Sequence, residues 1–194
     1  MYSLARAVTA TLEIRKSRFL ACVEPIADRA SAQERVAELR AQHPGCAHVC
    51  WALLAGGHSA AVDDGEPSGT AGRPMLEVLR LQELDGVLAT VVRYYGGIKL
   101  GAGGLVRAYT DAVAQALQQA EKVGHVPMVQ VHCEVPYAHE STARHLLAQL
   151  DSELLDVRHG NRVLLTLRLP AALAEDLHEQ LLAATRGDLV WRPG

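Results

Sequence analysis

Apolar positions recur at helical spacing most clearly over residues 105–120. There Leu105, Val106, Tyr109, Ala112, Val113, Ala116, Leu117 and Ala120 form one stripe across four turns. Upstream, residues 87–92 (VLATVV) run continuously apolar and β-branched, the pattern of a central strand buried on both faces. Residues 9–24 alternate loosely around the polar turn Arg15-Lys16-Ser17 and predict two short strands. Ser31 with Glu34 three residues on reads as a capping box for a helix that carries Val36 and Leu39 and stops at His43-Pro44-Gly45. Residues 46–55 read as a mostly buried strand. The Gly- and Pro-rich stretch 62–74 reads as a loop, with Pro74 in the first turn of a helix carrying Met75, Leu76, Val78 and Leu79 and ended before Gly86.

The pattern resets at Gly124-His125-Val126-Pro127, which divides the chain into residues 1–125 and 126–194. The second part alternates as strand (128–135), helix (Ala143 to Leu150), strand (153–158), Gly160-Asn161 turn, strand (163–169), helix (Leu173 to Leu181) and strand (188–191). That βαββαβ order is the ferredoxin-like split βαβ unit. The expected fold class is therefore α+β in two domains.

Composition narrows the class. Of 194 residues 49% are hydrophobic, which excludes a disordered chain, and no apolar run approaches the ~18 residues a membrane helix requires. The first residues lack the apolar core of a secretion signal, so a cytoplasmic protein that does not use a membrane is expected. Cys22, Cys46, Cys50 and Cys133 have no framework spacing and read as reduced thiols. Charge is balanced at 13 basic and 13 acidic residues before position 126 and runs to 6 against 9 after it, which accounts for the net −3. Phosphate recognition would therefore need a local basic patch.

The segment VVRYYGGIKLGAGGLVRAY (91–109) offers one. A strand running through Gly96, Gly97, Gly101, Gly103 and Gly104 into a helix presents backbone N–H groups and the positive end of a helix dipole, which suits an anion. It matches neither GxxxxGK[ST] nor GxGxxG, since Val106 stands where the latter needs glycine. The same glycines also suit tight turns and close packing of helix on sheet. Arg93, Lys99 and Arg107 with Tyr94 and Tyr95 favour phosphates and stacked bases, although Arg107 could instead pair with Asp111.

Asp63, Asp64 and Glu66 gather three carboxylates in four residues. They read as an exposed acidic turn, as a Mg²⁺ or acid–base site, or as partners for the basic segment. Cys46, His48 and Cys50 alternate as though on one strand face, but no fourth zinc ligand accompanies them. No nucleophile motif names a catalytic residue. Neither a resident metal nor a cofactor is expected.

KSRF (16–19), His48, DDGEPSGTAGRPML (63–76) and VVRYYGGIKLGAGGLVRAY together resemble the YigZ/IMPACT family. Two long motifs in the right order and at the right separation make the resemblance specific over residues 1–125. The C-terminal part is similar to the second domain of bacterial members in periodicity. The resemblance implies an N-terminal α/β sandwich with the fold of a ribosomal small-subunit protein's second domain, also found in GHMP kinases and in domain IV of elongation factor G. A ferredoxin-like domain like that factor's domain V would follow. It also implies regulation of translation, the role of the eukaryotic namesake, and nucleic-acid or ribosome binding in bacterial members. RNA or a ribosome-related partner is then expected at Arg93, Tyr94, Tyr95, Gly96, Gly97, Lys99, Gly101, Gly103, Gly104 and Arg107, with His48, Asp63, Asp64, Glu66 and Arg73 as a second element of the site. A second reading is an enzyme acting on a phosphate-containing small molecule or nucleotide with Mg²⁺ at the acidic loop. A third is a protein-interaction module.

Overall fold

The structure is a computed structural model and describes residues 1–193. The chain is α+β and forms two compact units, Met1–His125 and Val126–Gly194. In chain order the first contains β1 (Tyr2–Leu4), β2 (Val8–Ile14), β3 (Ser17–Pro25), α1 (Arg29–Gln42), β4 (His48–Ala55), β5 (His58–Val62), α2 (Gly72–Leu81), β6 (Val87–Tyr94), α3 (Ala102–Leu117) and β7 (Lys122–Gly124). Five strands form an antiparallel sheet ordered β2-β3-β6-β4-β5, while β1 and β7 pair separately.

Strand parity explains the unbroken apolar run. Val87, Ala89 and Val91 belong to the core under α2 and α3, whereas Leu88 and Val92 belong to the opposite core under α1. In β4 the same alternation sends Cys50 and Ala52 to the first core and Val49, Trp51, Leu53 and Ala55 to the second. Two apolar faces per central strand demand helices on both sides of the sheet.

Three local expectations are corrected. The cap of α1 is Asp28, whose carboxylate accepts the Ser31 N–H at 2.8 Å. The helix therefore starts earlier, and Ser31 and Glu34 lie within it. Strand β5, with its exposed and half-exposed alternation, was hidden in the polar stretch before the loop. β1 and β7 are three residues each, too short for a period to register.

The second unit comprises β8 (Met128–Val135), α4 (Glu140–Gln149), β9 (Glu153–His159), β10 (Val163–Pro170), α5 (Ala174–Ala184) and β11 (Val190–Pro193). Its antiparallel sheet runs β11-β8-β10-β9, the 4-1-3-2 order of a ferredoxin-like unit. Leu165, Leu167 and Leu169 of β10 pack there with Leu177 and Leu181 of α5. Among the described residues, no helix is long and apolar enough to cross a membrane.

Candidate functional site

The strand registers collect the sequence motifs at one end of the five-stranded sheet. Ser17 pairs with Ile14 across the β2–β3 turn, Phe19 pairs with Arg93, and Arg93 pairs with His48. β5 ends at this edge, so the acidic loop leads from it directly into α2, and the glycine segment leads from β6 into α3.

The acidic loop is not an exposed turn. Asp63 accepts N–H groups from Gly69 (2.7 Å), Ala71 (3.0 Å) and Gly72 (2.9 Å), so its carboxylate satisfies the orphan donors at the start of α2. Burial works against its charge, yet the three N–H donors outweigh burial and hold its pKa below the ordinary carboxylate value. Because the folded pKa is the lower one, this contribution is complete above the unfolded value and disappears as pH falls through the depressed one. Wild type should therefore exceed Asp63→Asn in urea midpoint at neutral pH, and the gap should close on acidification. A gap that widens in acid would contradict this assignment.

Asp64 turns toward α1. Its Oδ2 accepts the Val49 N–H at 2.6 Å and its Oδ1 the Arg40 guanidinium at 2.5 Å. Glu66 alone points inward. It is 8% exposed, and its Oε1 accepts from Arg93 Nη1 (2.6 Å) and the Tyr109 hydroxyl (2.7 Å). Arg93 Nη2 reaches Ser17 Oγ at 3.4 Å, and that oxygen also accepts the Gly96 N–H at 3.1 Å. Acidic loop and glycine segment are thus joined through Glu66, Arg93 and Ser17, which realises the pairing alternative for one carboxylate of the three.

Arg93 consequently differs from its expected role as a phosphate contact. It is 5% exposed, with its guanidinium over the rings of Phe19 and Tyr95, because its parity on β6 turns it into the core beneath α3. The two tyrosines divide in the same way. Tyr94 bonds His43 Nδ1 at the end of α1 (2.8 Å) under the Arg18 guanidinium, whereas Tyr95 is 50% exposed.

The glycines differ in what requires them. A Cβ at Gly96 would be driven into the Lys16 carbonyl, and one at Gly72 into the Val62 backbone. Gly97 and Gly101 adopt positive φ (83° and 74°), while Gly103 opens onto free space and Gly104 would meet only the Leu100 side chain. Gly101 caps α3 without a side-chain bond. Lys99 and Arg107 are exposed and, among the described residues, make no ion pair, so Arg107 does not use Asp111. Arg73 is exposed in the first turn of α2. It lines a groove of about 430 Å³ with Val78, Leu81, Val106 and Thr110.

His48 stands beside Glu66. Its Nδ1 lies 2.7 Å from the Asp64 carbonyl and its Nε2 3.8 Å from Glu66 Oε2. Cys46, His48 and Cys50 do not converge, since Cys46 precedes β4 and packs on the α1 side while Cys50 faces α3. Burial pushes the Cys50 thiol up to about 12. Burial likewise raises Tyr109, with Cys50 and the Glu66 carboxylate adding to the shift, so neither group ionises at neutral pH.

Sequence reading left Arg15, Lys16, Ser17 and Tyr109 out of the site. Tyr109 and Arg93 did carry a signal, as polar groups at positions where the apolar period demands burial, and such groups require a buried partner. Ser17 carried none.

Two family models match the chain: the Impact N-terminal domain over residues 15–117 and the Domain of unknown function (DUF1949) over residues 133–188. An Escherichia coli (strain K12) protein described as IMPACT family member YigZ is 38% identical over 190 residues, covering 95% of this chain and 93% of that one. IMPACT family member YvyE of Bacillus subtilis (strain 168) is 38% identical over 153 residues, 77% of this chain and 70% of its own. A solved structure titled as that of a hypothetical protein superimposes with a TM-score of 0.67 at 37% identity, covering 98% of this chain and 95% of that one. With both domain models matched in order and relatives aligned along nearly its whole length, the chain belongs to the IMPACT family.

Proposed function

We propose that the chain is a translation-associated protein that binds RNA through the end of its N-terminal sheet. The observation that carries this reading is the sorting of charge at that end. Asp63, Asp64 and Glu66 all accept bonds from within the fold, whereas Arg15, Lys16, Arg73, Lys99 and Arg107 are exposed and, among the described residues, form no ion pair. A surface whose loop carboxylates are turned into the fold while its exposed cations form no ion pair attracts a polyanion.

Strain supports the same reading. Arg15 and Lys16 form the two-residue turn of the β2–β3 hairpin at φ 48° and 66°, positions that favour Asn or Gly. Holding ordinary side chains there costs about 1–3 kcal/mol each, a cost consistent with positions kept for the charges they present. The Arg15 guanidinium also reaches the Lys99 carbonyl at 3.3 Å, tying the turn to the glycine segment. Tyr95 supplies an exposed ring on which a base can stack. The Mg²⁺-enzyme reading has less support, because Asp63 and Asp64 are engaged within the fold and Glu66 commits one oxygen to Arg93 and Tyr109.

Binding of a labelled single-stranded 12-mer RNA at low salt tests the proposal. Lys99→Ala combined with Arg107→Ala should weaken it at least about tenfold, as expected for loss of two phosphate contacts. Absence of binding by wild type, or equal affinity of the double variant, would overturn it.

A further inference from the structure

We propose that His48 Nε2 and Glu66 Oε2 form a slot for the exocyclic amino group of a nucleobase, an inference that rests on the RNA-binding reading above. His48 Nδ1 is 2.7 Å from the Asp64 carbonyl oxygen, and a carbonyl only accepts, so Nδ1 carries the ring proton. The slot uses this neutral tautomer, in which the proton on Nδ1 leaves the Nε2 lone pair unshared. Facing it at 3.8 Å is Glu66 Oε2, while Oε1 of the same carboxylate is committed to Arg93 and Tyr109.

Two acceptors thus oppose each other across a gap too long for a direct hydrogen bond. The gap suits one atom about 2.9 Å from both, provided that atom carries two protons. The chemistry of the surroundings decides which group it is. The Arg93 guanidinium already neutralises Glu66, so the slot offers no net charge to attract an ammonium ion. A sugar hydroxyl has one proton and would leave one acceptor unmet in a site where the Glu66 side chain is 3% exposed. A neutral amino group supplies both donors, and a carboxylate accepting from cytosine N4 is an established mode of base recognition. Water meets the same requirement in the free protein and is displaced on binding.

The slot is reached from the His48 side, since the Glu66 side chain is almost wholly buried, and it lies on the proposed path of the RNA. The His48 side chain is 23% exposed, and His48 pairs directly with Arg93, three residues before Gly96. Phosphates held by the cations of the glycine segment would place a neighbouring base at this edge of the sheet. Cytosine, adenine and guanine carry the amino group; uracil does not.

The test compares oligo-rC, oligo-rU and oligo-rC bearing N4,N4-dimethylcytosine, each 12 nucleotides long, at one salt concentration. The expected result is that oligo-rC binds wild type at least about fivefold tighter than either of the others. His48→Ala should bring all three to equal affinity. Because dimethylation alters only the ligand, this arm does not depend on the folding of a variant. Equal affinity of wild type for oligo-rC and its dimethylated form overturns the slot while leaving RNA binding intact. Failure of all three to bind overturns the RNA-binding reading itself.

Discussion

Arg93→Ala is expected to lose about 3–5 kcal/mol of stability, the cost of leaving a buried carboxylate without its partner. Glu66 would keep only the Tyr109 hydroxyl and the distant His48 ring, and Ser17 would lose the guanidinium contact. With an m-value of roughly 2 kcal/mol/M the urea midpoint should fall by about 2 M. Glu66→Ala should act similarly by stranding Arg93, whose Nε is already buried without a partner. The diagnostic result is the double variant. Replacing both residues by Leu removes both charges and should cost clearly less than the sum of the single changes. Additive losses would mean that the two residues act separately.

Gly96→Ala is the second large effect, with an expected loss of about 2–4 kcal/mol from overpacking and from the broken bond to Ser17. A Cβ at this position collides with the Lys16 carbonyl and the Ser17 nitrogen, which are backbone atoms of a hairpin turn and cannot rotate aside. The turn must move, and it carries Arg15 and Lys16, so RNA affinity should fall with stability. Gly103→Ala is the matched control. Nothing lies within 4 Å of its Cβ position, and within α3 alanine should be neutral or stabilise by up to about 1 kcal/mol. Urea melts of both variants separate a glycine required by close approach from one that is not. Equal destabilisation of the two would contradict the packing assigned to Gly96.

The contrast between these glycines marks where sequence reading stops. Period and alternation made the long elements legible, because α3 and β6 bury a whole face or both faces and must show it. β8, α4, β10 and α5 of the second unit were legible for the same reason, down to the first residue of β8 and β10. The caps and short strands were not. Asp28 and Ser31 are both good caps, and only the tertiary position of α1 chooses between them.

In the candidate site, residue types singled out segments that meet at one end of the sheet but did not give their roles. Arg93, Lys99 and Arg107 look alike in a string. Strand parity buries the first, and the loop and helix surface expose the others. Likewise, Asp63, Asp64 and Glu66 read as one acidic turn, yet each carboxylate goes to a different partner: the start of α2, the edge of β4 with α1, and Arg93. Such assignments depend on which strands are neighbours, and the order β3-β6-β4 is set by the whole sheet.

The salt dependence of single-stranded RNA binding tests the central claim most directly. Five exposed cations that form no ion pair among the described residues, Arg15, Lys16, Arg73, Lys99 and Arg107, predict a log–log slope near −3.5 at about −0.7 per phosphate, hence an affinity loss of about 100-fold between 50 and 200 mM salt. Removing Lys99 and Arg107 should flatten the slope by about 1.4. Affinity that does not change with salt, or a slope identical in that double variant, would contradict the account.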